Sequence, residues 1–359
     1  MKVFVTGGTG FIGQHVVRKL LNRGYDVVGL ARSEKAATVL NELGARVTFG
    51  DILDRESMRD SMTGSDIVIH LAGWYKLGSH DWMQAEVTNV AGTRNVLQLA
   101  YQLGVPKIIY TSTHTVFGDT KGEMVDETFF QGGPFANEYD RTKWLAHYKV
   151  AMPLIEAGAP IVILIPGVIY GPGDHSLIGQ LMELYYRGRM LAIPGPDFTT
   201  TYAHVEDIAE GHILAVEKGK VGQSYILAGP AVPLGEVVDF WGQLTGRPVP
   251  MFRVPARFII PFTPLFSALG NLFALPPLLS EDAVRLLTMN NMVLATKAQK
   301  ELGWRTRSMQ EGMIETFRWI AGTVPAEPIV RQTERKIAGL TLLLAAAILA
   351  LWLIGRRRE

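Results

Sequence analysis

Tyr139 and Lys143 stand four apart in the run Tyr139-Asp140-Arg141-Thr142-Lys143, a spacing that places both side chains on one helical face. Those two residue types in that register can move a proton. A free phenol titrates at about 10 and is a poor base at neutral pH. An ammonium close by favours the phenolate and lowers that value, and the same ammonium can reach the ribose of a bound dinucleotide. Further hydroxyls stand in Thr111-Ser112-Thr113, which ends a predicted strand. A hydroxyl there can orient a carbonyl while tyrosine donates the proton and a nicotinamide donates hydride. Interconversion of a secondary alcohol and a ketone needs such a set.

A hydride carrier needs a cradle, and the chain opens with one. A Val3-Phe4-Val5 strand runs into Thr6-Gly7-Gly8-Thr9-Gly10-Phe11-Ile12-Gly13 and then an amphipathic helix. Gly7, Gly10 and Gly13 permit a tight turn, close approach of backbone to pyrophosphate and close packing of helix on strand. The helix N-terminus offers free N–H groups and a positive dipole end to the phosphates. After the second strand, Ala31 stands where NAD-specific sites carry an acidic residue, and Arg32 follows. A guanidinium there suits a 2′-phosphate, so NADP is favoured with NAD as the alternative; a solvated arginine at a strand end is the other reading. Asp51 after the third strand either accepts from the adenine amine or forms a turn.

The elements that must position these groups alternate strictly. Val3–Val5, Asp26–Leu30, Arg46–Phe49, Ile67–Leu71, Lys107–Thr111 and Ile161–Ile165 read as strands, apolar enough to be buried on both faces. Between them Gly13–Asn22, Glu34–Leu43, Glu56–Met62, Glu86–Leu103 and Tyr139–Ile155 read as crossover helices. The fold class expected is α/β, a doubly wound parallel sheet of Rossmann type. Residues 1–165 would form the dinucleotide-binding domain with later elements returning to it, and 166–322 a smaller substrate-binding part. Residues 323–335 read as a linker and 336–355 as a transmembrane anchor. Ile337 to Ile354 carry no charge, and that helix would span about 27 Å. Basic residues flank both ends, so the expected cytoplasmic orientation rests on an N-terminus that runs straight into a strand.

Composition narrows the field. Lys and Arg number 35 against 34 Asp and Glu, for a net charge of +1, so nothing in the overall field calls for nucleic acid. With no cysteine, thiolate catalysis, disulfides and Cys-based zinc sites are excluded. His114 and His204 stand alone, and no metal is expected.

The ordered series TGGTGFIG, Gly50-Asp51, Leu71-Ala72-Gly73, Asn89-Val90-Ala91-Gly92-Thr93, YTSTHTVFG, YDRTK, YGPGD from Tyr170, HVED from His204 and Lys300-Glu301-Leu302-Gly303-Trp304 resembles the extended short-chain dehydrogenases/reductases. The dihydroflavonol-reductase-like and 3β-hydroxysteroid-dehydrogenase-like branch is the most similar. The resemblance covers about residues 1–320. It implies Thr113 as the catalytic hydroxyl, with Ser112 in reserve, Tyr139 as acid/base and Lys143 as its electrostatic partner. Gly7, Gly10, Phe11, Ile12, Arg32, Asp51, Ile52, Ala72 and Pro166 would line the cofactor. Asn89 would support the helix beside the site, and Asp207 would cap a helix rather than touch substrate. Two departures bear on substrate: Ile165-Pro166 replaces a frequent Arg-Pro, and Thr199–Ala203 replaces an arginine with which nucleotide-sugar epimerases hold a diphosphate.

Residues 254–279 are strongly apolar, yet their prolines and Arg257 argue against a spanning helix. They form either a core or dimer interface, or a lip admitting a lipid-like substrate from the bilayer. Three functions are thus in view: NADP-dependent oxidoreduction of an apolar small molecule, sugar epimerase or dehydratase chemistry on the same fold, and a non-catalytic dinucleotide sensor. A homodimer is common among similar proteins.

Overall fold

Val3, Phe4, Val5, Ile161, Val162, Ile163 and Leu164 are fully buried because their strands are covered by helices on both faces. The computed structural model describes residues 1–75, 81–264 and 280–324. In chain order the strands that shape the site are β1 (Lys2–Thr6), β2 (Asp26–Ala31), β3 (Arg46–Phe49), β4 (Ile67–His70), β5 (Lys107–Thr111), β6 (Ile161–Pro166), β7 (Val168–Tyr170), β8 (Thr199–His204), β9 (Ser224–Leu227) and β10 (Ala231–Pro233). The main sheet runs β9-β6-β5-β4-β1-β2-β3, and every pairing in it is parallel. Strand order reverses at β1, which has β2 on one side and β4 on the other. A crevice opens at the carboxyl ends there, and ligands bind in such crevices.

The helices used below are α1 (Phe11–Asn22), α2 (Glu34–Leu43), α3 (Arg55–Met62), α4 (Thr93–Gln102), α5 (Glu138–Ala146), α6 (Leu177–Tyr186), α7 (Val205–Lys218) and α8 (Met309–Thr323). Their starts follow from local chemistry. Ser33 accepts from the Ala36 N–H at the head of α2, Asp54 from Glu56 and Ser57 at α3, and Asn137 from Asp140 at α5. On the outer face α1 lies on α7, tied by His15 Nδ1 and Lys19 Nζ at 2.6 and 3.0 Å from the Glu206 carboxylate.

Two crossovers are less regular than the expected single helices. Residues 86–103 comprise the end of a helix Trp82–Glu86, a π-helical turn Val87–Gly92, and α4. Residues 139–155 comprise α5, a π-helical turn His147–Ala151 and a last turn Met152–Glu156. Pro153 accounts for the second interruption: it has no N–H for the carbonyl one turn earlier, and its ring needs the wider spacing. β9 returns from the later chain to the edge of the main sheet. Beyond β6 a second apolar cluster forms around Trp241, Tyr185, Met182, Tyr202 and Met313, and it is roofed by the small sheet β10-β8-β7.

Asp207 does not cap α7. His204 Nδ1 accepts the Glu206 N–H, while the Asp207 carboxylate takes the Arg307 N–H and guanidinium at 2.8–3.1 Å. It lies in the first turn, already inside the helix, and clamps the incoming C-terminal segment to it. Among the described residues no helix is long and apolar enough to cross a membrane. The expected anchor 336–355 lies outside the described residues, as do 265–279 of the apolar segment. Of that segment's described part, Phe258 and Phe262 are exposed, as are Met251 and Phe252 just before it.

Candidate active site

A cavity of about 710 Å³ occupies the crevice, well within the range of small-molecule sites. One wall is the glycine turn. Gly7 adopts φ +75°, and a Cβ there would fall 2.5 Å from the Ala72 nitrogen. A Cβ on Gly13 would fall 2.1 Å from the Gly7 carbonyl oxygen, so α1 packs on the turn only because that side chain is missing. No side chain caps α1 and no acidic residue stands in its first turn. Its N–H groups are left for an anion. Gly13→Ala should lower dinucleotide affinity at least tenfold and destabilise the fold by about 1–3 kcal/mol, the usual range for overpacking; cofactor titration and thermal melting would measure both.

Gly7, Gly10, Phe11, Ile12, Gly13, Thr113, Tyr139, Lys143 and Pro166 all line this cavity. Four expected cofactor contacts do not. Ala72 supports the Gly7 turn from behind, and its neighbours Leu71 and Gly73 face the cavity instead. Ile52 is buried against Gly92, where an added Cβ would fall 2.6 Å from Ile52 Cδ1. Asp51 Oδ1 accepts the Leu53 N–H at 2.9 Å, which makes it a turn-former. Arg32 is exposed at the end of β2. Asp51 and Arg32 both stand at strand ends beyond the glycine turn.

The opposite wall comes from β5 and α5. Asn137 caps α5 and so aims its first turn at the crevice. Tyr139 is partly buried, has the Thr113 side chain acting to lower its proton affinity, and meets the Tyr75 ring edge-on at 4.9 Å between centroids. Lys143 is buried and its Nζ donates to the Thr111 carbonyl at 2.9 Å, with the Tyr110 ring 5.1 Å away. Burial pulls the Lys143 amine down to about 8. Ser112 lines the cavity too but has its Oγ paired with His147 Nδ1 at 2.8 Å, whereas Thr113 is the hydroxyl that acts on the phenol. Asn89 brackets Trp74 through Oδ1 and Nδ2 and also donates to Thr142 Oγ1 on α5, so it holds that helix in place. His114 is structural: its nitrogens face the Pro166 carbonyl and Thr200 Oγ1. Among the described residues no cluster of three or more acidic and histidine side chains could hold a metal.

One expectation is reversed. Burial, with the Asp140 charge behind it, pushes the Tyr139 phenol above its ordinary value despite the opposing effect of Thr113. Lys143 points down to the strand end and gives the phenol no compensating shift. The far end of the cavity left no motif in the sequence. Tyr75, Asp140, Asp174, His175, Phe198, Leu286 and Asn291 line it. Most come from chain far beyond the dinucleotide part, although Asp174 closes the Tyr170-Gly171-Pro172-Gly173-Asp174 run. Burial lifts the Asp140 and Asp174 carboxyls to about 7 and about 6.

A glycine turn at the switch point facing a Tyr–Lys–Thr set across one crevice defines a dinucleotide-dependent enzyme of the short-chain dehydrogenase type. Comparison with known proteins gives the same class. Residues 3–228 match the NAD dependent epimerase/dehydratase family, and the chain belongs to it as an NAD(P)-dependent oxidoreductase of the extended short-chain type. It is 28% identical to sterol demethylase protein B of Methylococcus capsulatus over 89% of this chain and 98% of that protein. It is 29% identical to 4-hydroxy-2-methyl-3-oxo-4-farnesyl-3,4-dihydroquinoline-1-oxide ketoreductase of Stigmatella aurantiaca, over 89% and 96%. The crystal structure of gox2253 superposes with a TM-score of 0.77 at 29% identity, covering 90% of this chain and 99% of that one.

Proposed function

We propose that the protein interconverts a secondary alcohol and a ketone on an apolar small molecule, with NADP(H) as the hydride carrier. The observation that carries this reading is the placement of Tyr139 and Thr113 opposite the glycine turn in one cavity. The fit of a dinucleotide rests on the turn, whose close contacts admit no Cβ at Gly7 or Gly13 and leave the α1 amides uncapped. When bound there, the nicotinamide would supply the hydride acceptor and, oxidised, a positive charge beside the phenol. Thr113 orients the substrate oxygen, Tyr139 exchanges the proton with it, and Lys143, anchored on the Thr111 carbonyl at the end of β5, would also reach the cofactor ribose.

Sterol and farnesyl ketones stand out as candidates because one relative above is named for a sterol and another as a ketoreductase of a farnesyl compound. Phe198, Ile169, Leu286 and Tyr75 offer them an apolar surface. Nucleotide-sugar epimerisation, the second reading, is disfavoured by β8: where epimerases place a diphosphate-binding arginine, Thr200, Thr201 and Tyr202 are buried in the sheet. A spectrophotometric screen of sterol, isoprenoid and flavonoid-like ketones decides between them. Stoichiometric consumption of reduced cofactor supports oxidoreduction, and net conversion without it supports epimerisation. In the same assay Arg32→Ser should lower the NADPH/NADH preference about tenfold or more, the loss expected of one charged hydrogen-bonding partner; an unchanged ratio would remove Arg32 from the site.

The uncharged stretch Ile337–Ile354 is long enough to support a single-pass membrane anchor. Deleting residues 336–359 should leave turnover of a soluble ketone intact and reduce activity on the same chemistry presented in vesicles. Equal vesicle activity with and without the tail would sink the anchor reading.

A further inference from the structure

Asn291 lines the cavity and is only 3% exposed, yet the proton-transfer set makes no use of it. Its backbone is pinned to β8. The Asn291 N–H donates to the Thr199 carbonyl at 3.2 Å, and its own carbonyl accepts the Thr200 hydroxyl at 3.1 Å. The neighbouring Asn290 holds the same junction, its Oδ1 taking the Thr199 N–H at 2.9 Å and its N–H meeting Asp119 Oδ1 at 3.1 Å. The Asn291 side chain donates through Nδ2 to the Gly118 carbonyl. A carbonyl only accepts, so that contact fixes which way round the amide lies. Oδ1 is then turned away from Gly118. Among the described residues no group pairs with it, and the atom is not sealed from solvent. The space open to it is the cavity.

We propose that Asn291 Oδ1 is a substrate-recognition contact, accepting a hydrogen bond from a hydroxyl that the substrate carries away from its reacting carbon. The inference rests on the oxidoreductase reading and narrows its substrate class to an apolar frame with two oxygens. One reacts at Thr113 and Tyr139, and the other is a donor that meets Asn291. A single segment sets the separation between the two sites. Thr113 and Gly118 flank the buried turn His114–Phe117 at its two ends, and Asn291 is fastened to Gly118.

The surroundings make a lone acceptor selective. Phe198, just before β8, and Leu286, at the end of the helix Glu281–Leu286, both face the same cavity. An apolar frame lying against them displaces the water that would otherwise solvate Oδ1. A buried acceptor left without a partner costs more than its hydrogen bond contributes when made. A site of this kind therefore discriminates against the analogue that lacks the donor. A hydroxyl or an N–H satisfies it, whereas an ether, a keto group or a methyl does not. The amide is neutral and presents oxygen, so it offers nothing to a phosphate or a carboxylate. That agrees with β8, where buried Thr200 and Thr201 stand in place of a diphosphate-binding arginine.

The test uses the full chain with decalone and a matched series in which a hydroxyl, or its methyl ether, is placed at successive positions of the ring away from the ketone. Calorimetry with saturating oxidised cofactor reads binding, and NADPH consumption reads turnover. At least one hydroxylated member should bind about tenfold more tightly than decalone and than its own ether, the size of one satisfied hydrogen bond. Asn291→Leu keeps the side-chain volume and removes the amide, and it should bring those ratios to within about twofold. A residue that only held Gly118 to β8 would weaken every member alike and leave the ratios at their wild-type values. Absence of any preference in wild type, or a preference that survives Asn291→Leu, overturns the proposal. Should Asn291→Leu fail to fold, a crystal structure of wild type with the tightest member carries the test, and a hydroxyl beyond hydrogen-bonding distance of Oδ1 overturns it. Binding and turnover keep the two claims apart. A binding preference abolished by Asn291→Leu, with no turnover of these or any screened ketone, fells the oxidoreductase reading alone, whereas turnover without preference fells the Asn291 contact alone.

Discussion

Tyr139→Phe should reduce turnover about a thousandfold, within the range for a positioned proton donor, while dinucleotide binding stays within about twofold. The substitution removes one hydroxyl and keeps the ring. Its edge-on contact with Tyr75 and the packing of α5 should survive, so the melting temperature should hold or rise slightly once a buried hydroxyl is gone. The glycine turn lies on the other wall and is untouched. Fluorescence titration with reduced cofactor, melting and steady-state rates on a soluble ketone together make the check. A variant that binds cofactor and retains wild-type turnover would return the molecule to the dinucleotide-sensor reading, because a sensor has no use for a proton donor.

What could be read from the chain alone follows a physical divide. Backbone-determined features were legible. Gly7 and Gly13 matter because a Cβ would collide with backbone at 2.5 and 2.1 Å, and a collision of that kind leaves glycine as its trace in sequence. The buried strands read as apolar runs for the same reason, and the four-residue spacing placed Tyr139 and Lys143 on one face of α5. Side-chain directions were not legible. Lys143 bonds a carbonyl on β5, Ser112 turns to His147, and Asp51 folds back on its own turn. Each of these outcomes is decided by a neighbour brought up by tertiary packing. The far wall of the cavity was the least readable part. Phe198, Leu286 and Asn291 come from separate stretches of chain with no shared motif, and only the folded crevice gathers them. Asp140 lay in plain view inside YDRTK, and its weight comes from burial, which composition and spacing do not encode.

Lys143→Met should cost about a hundredfold in turnover and raise the dinucleotide KM about tenfold, since on the proposed reading its ammonium would stand at the proton-transfer wall and also reach the cofactor ribose. The wild-type amine is depressed from 10.5 to about 8 by burial, so oxidation should weaken as pH rises through about 8 and the ammonium is lost. The methionine variant should lack that basic limb. The sign of the stability change follows from the same depression. Below about pH 8 the folded state carries a desolvated ammonium that the unfolded chain would hydrate, and this works against folding. The penalty fades as pH climbs from about 8 towards 10.5, where the unfolded lysine also gives up its proton. Methionine fills a similar volume without the charge and leaves the Thr111 carbonyl short of one donor, a partly offsetting loss of about 1 kcal/mol. At pH 7 the variant should therefore melt at or above the wild-type temperature while turning over far more slowly, and its advantage should shrink at higher pH. Two buried histidines, His70 and His147, are each held low by burial and in part by the Lys143 charge. Their proton affinities should rise in the variant, a change that histidine NMR titration would detect. A variant that melts several degrees lower at pH 7 and turns over normally would make Lys143 a strand-end support with no part in catalysis.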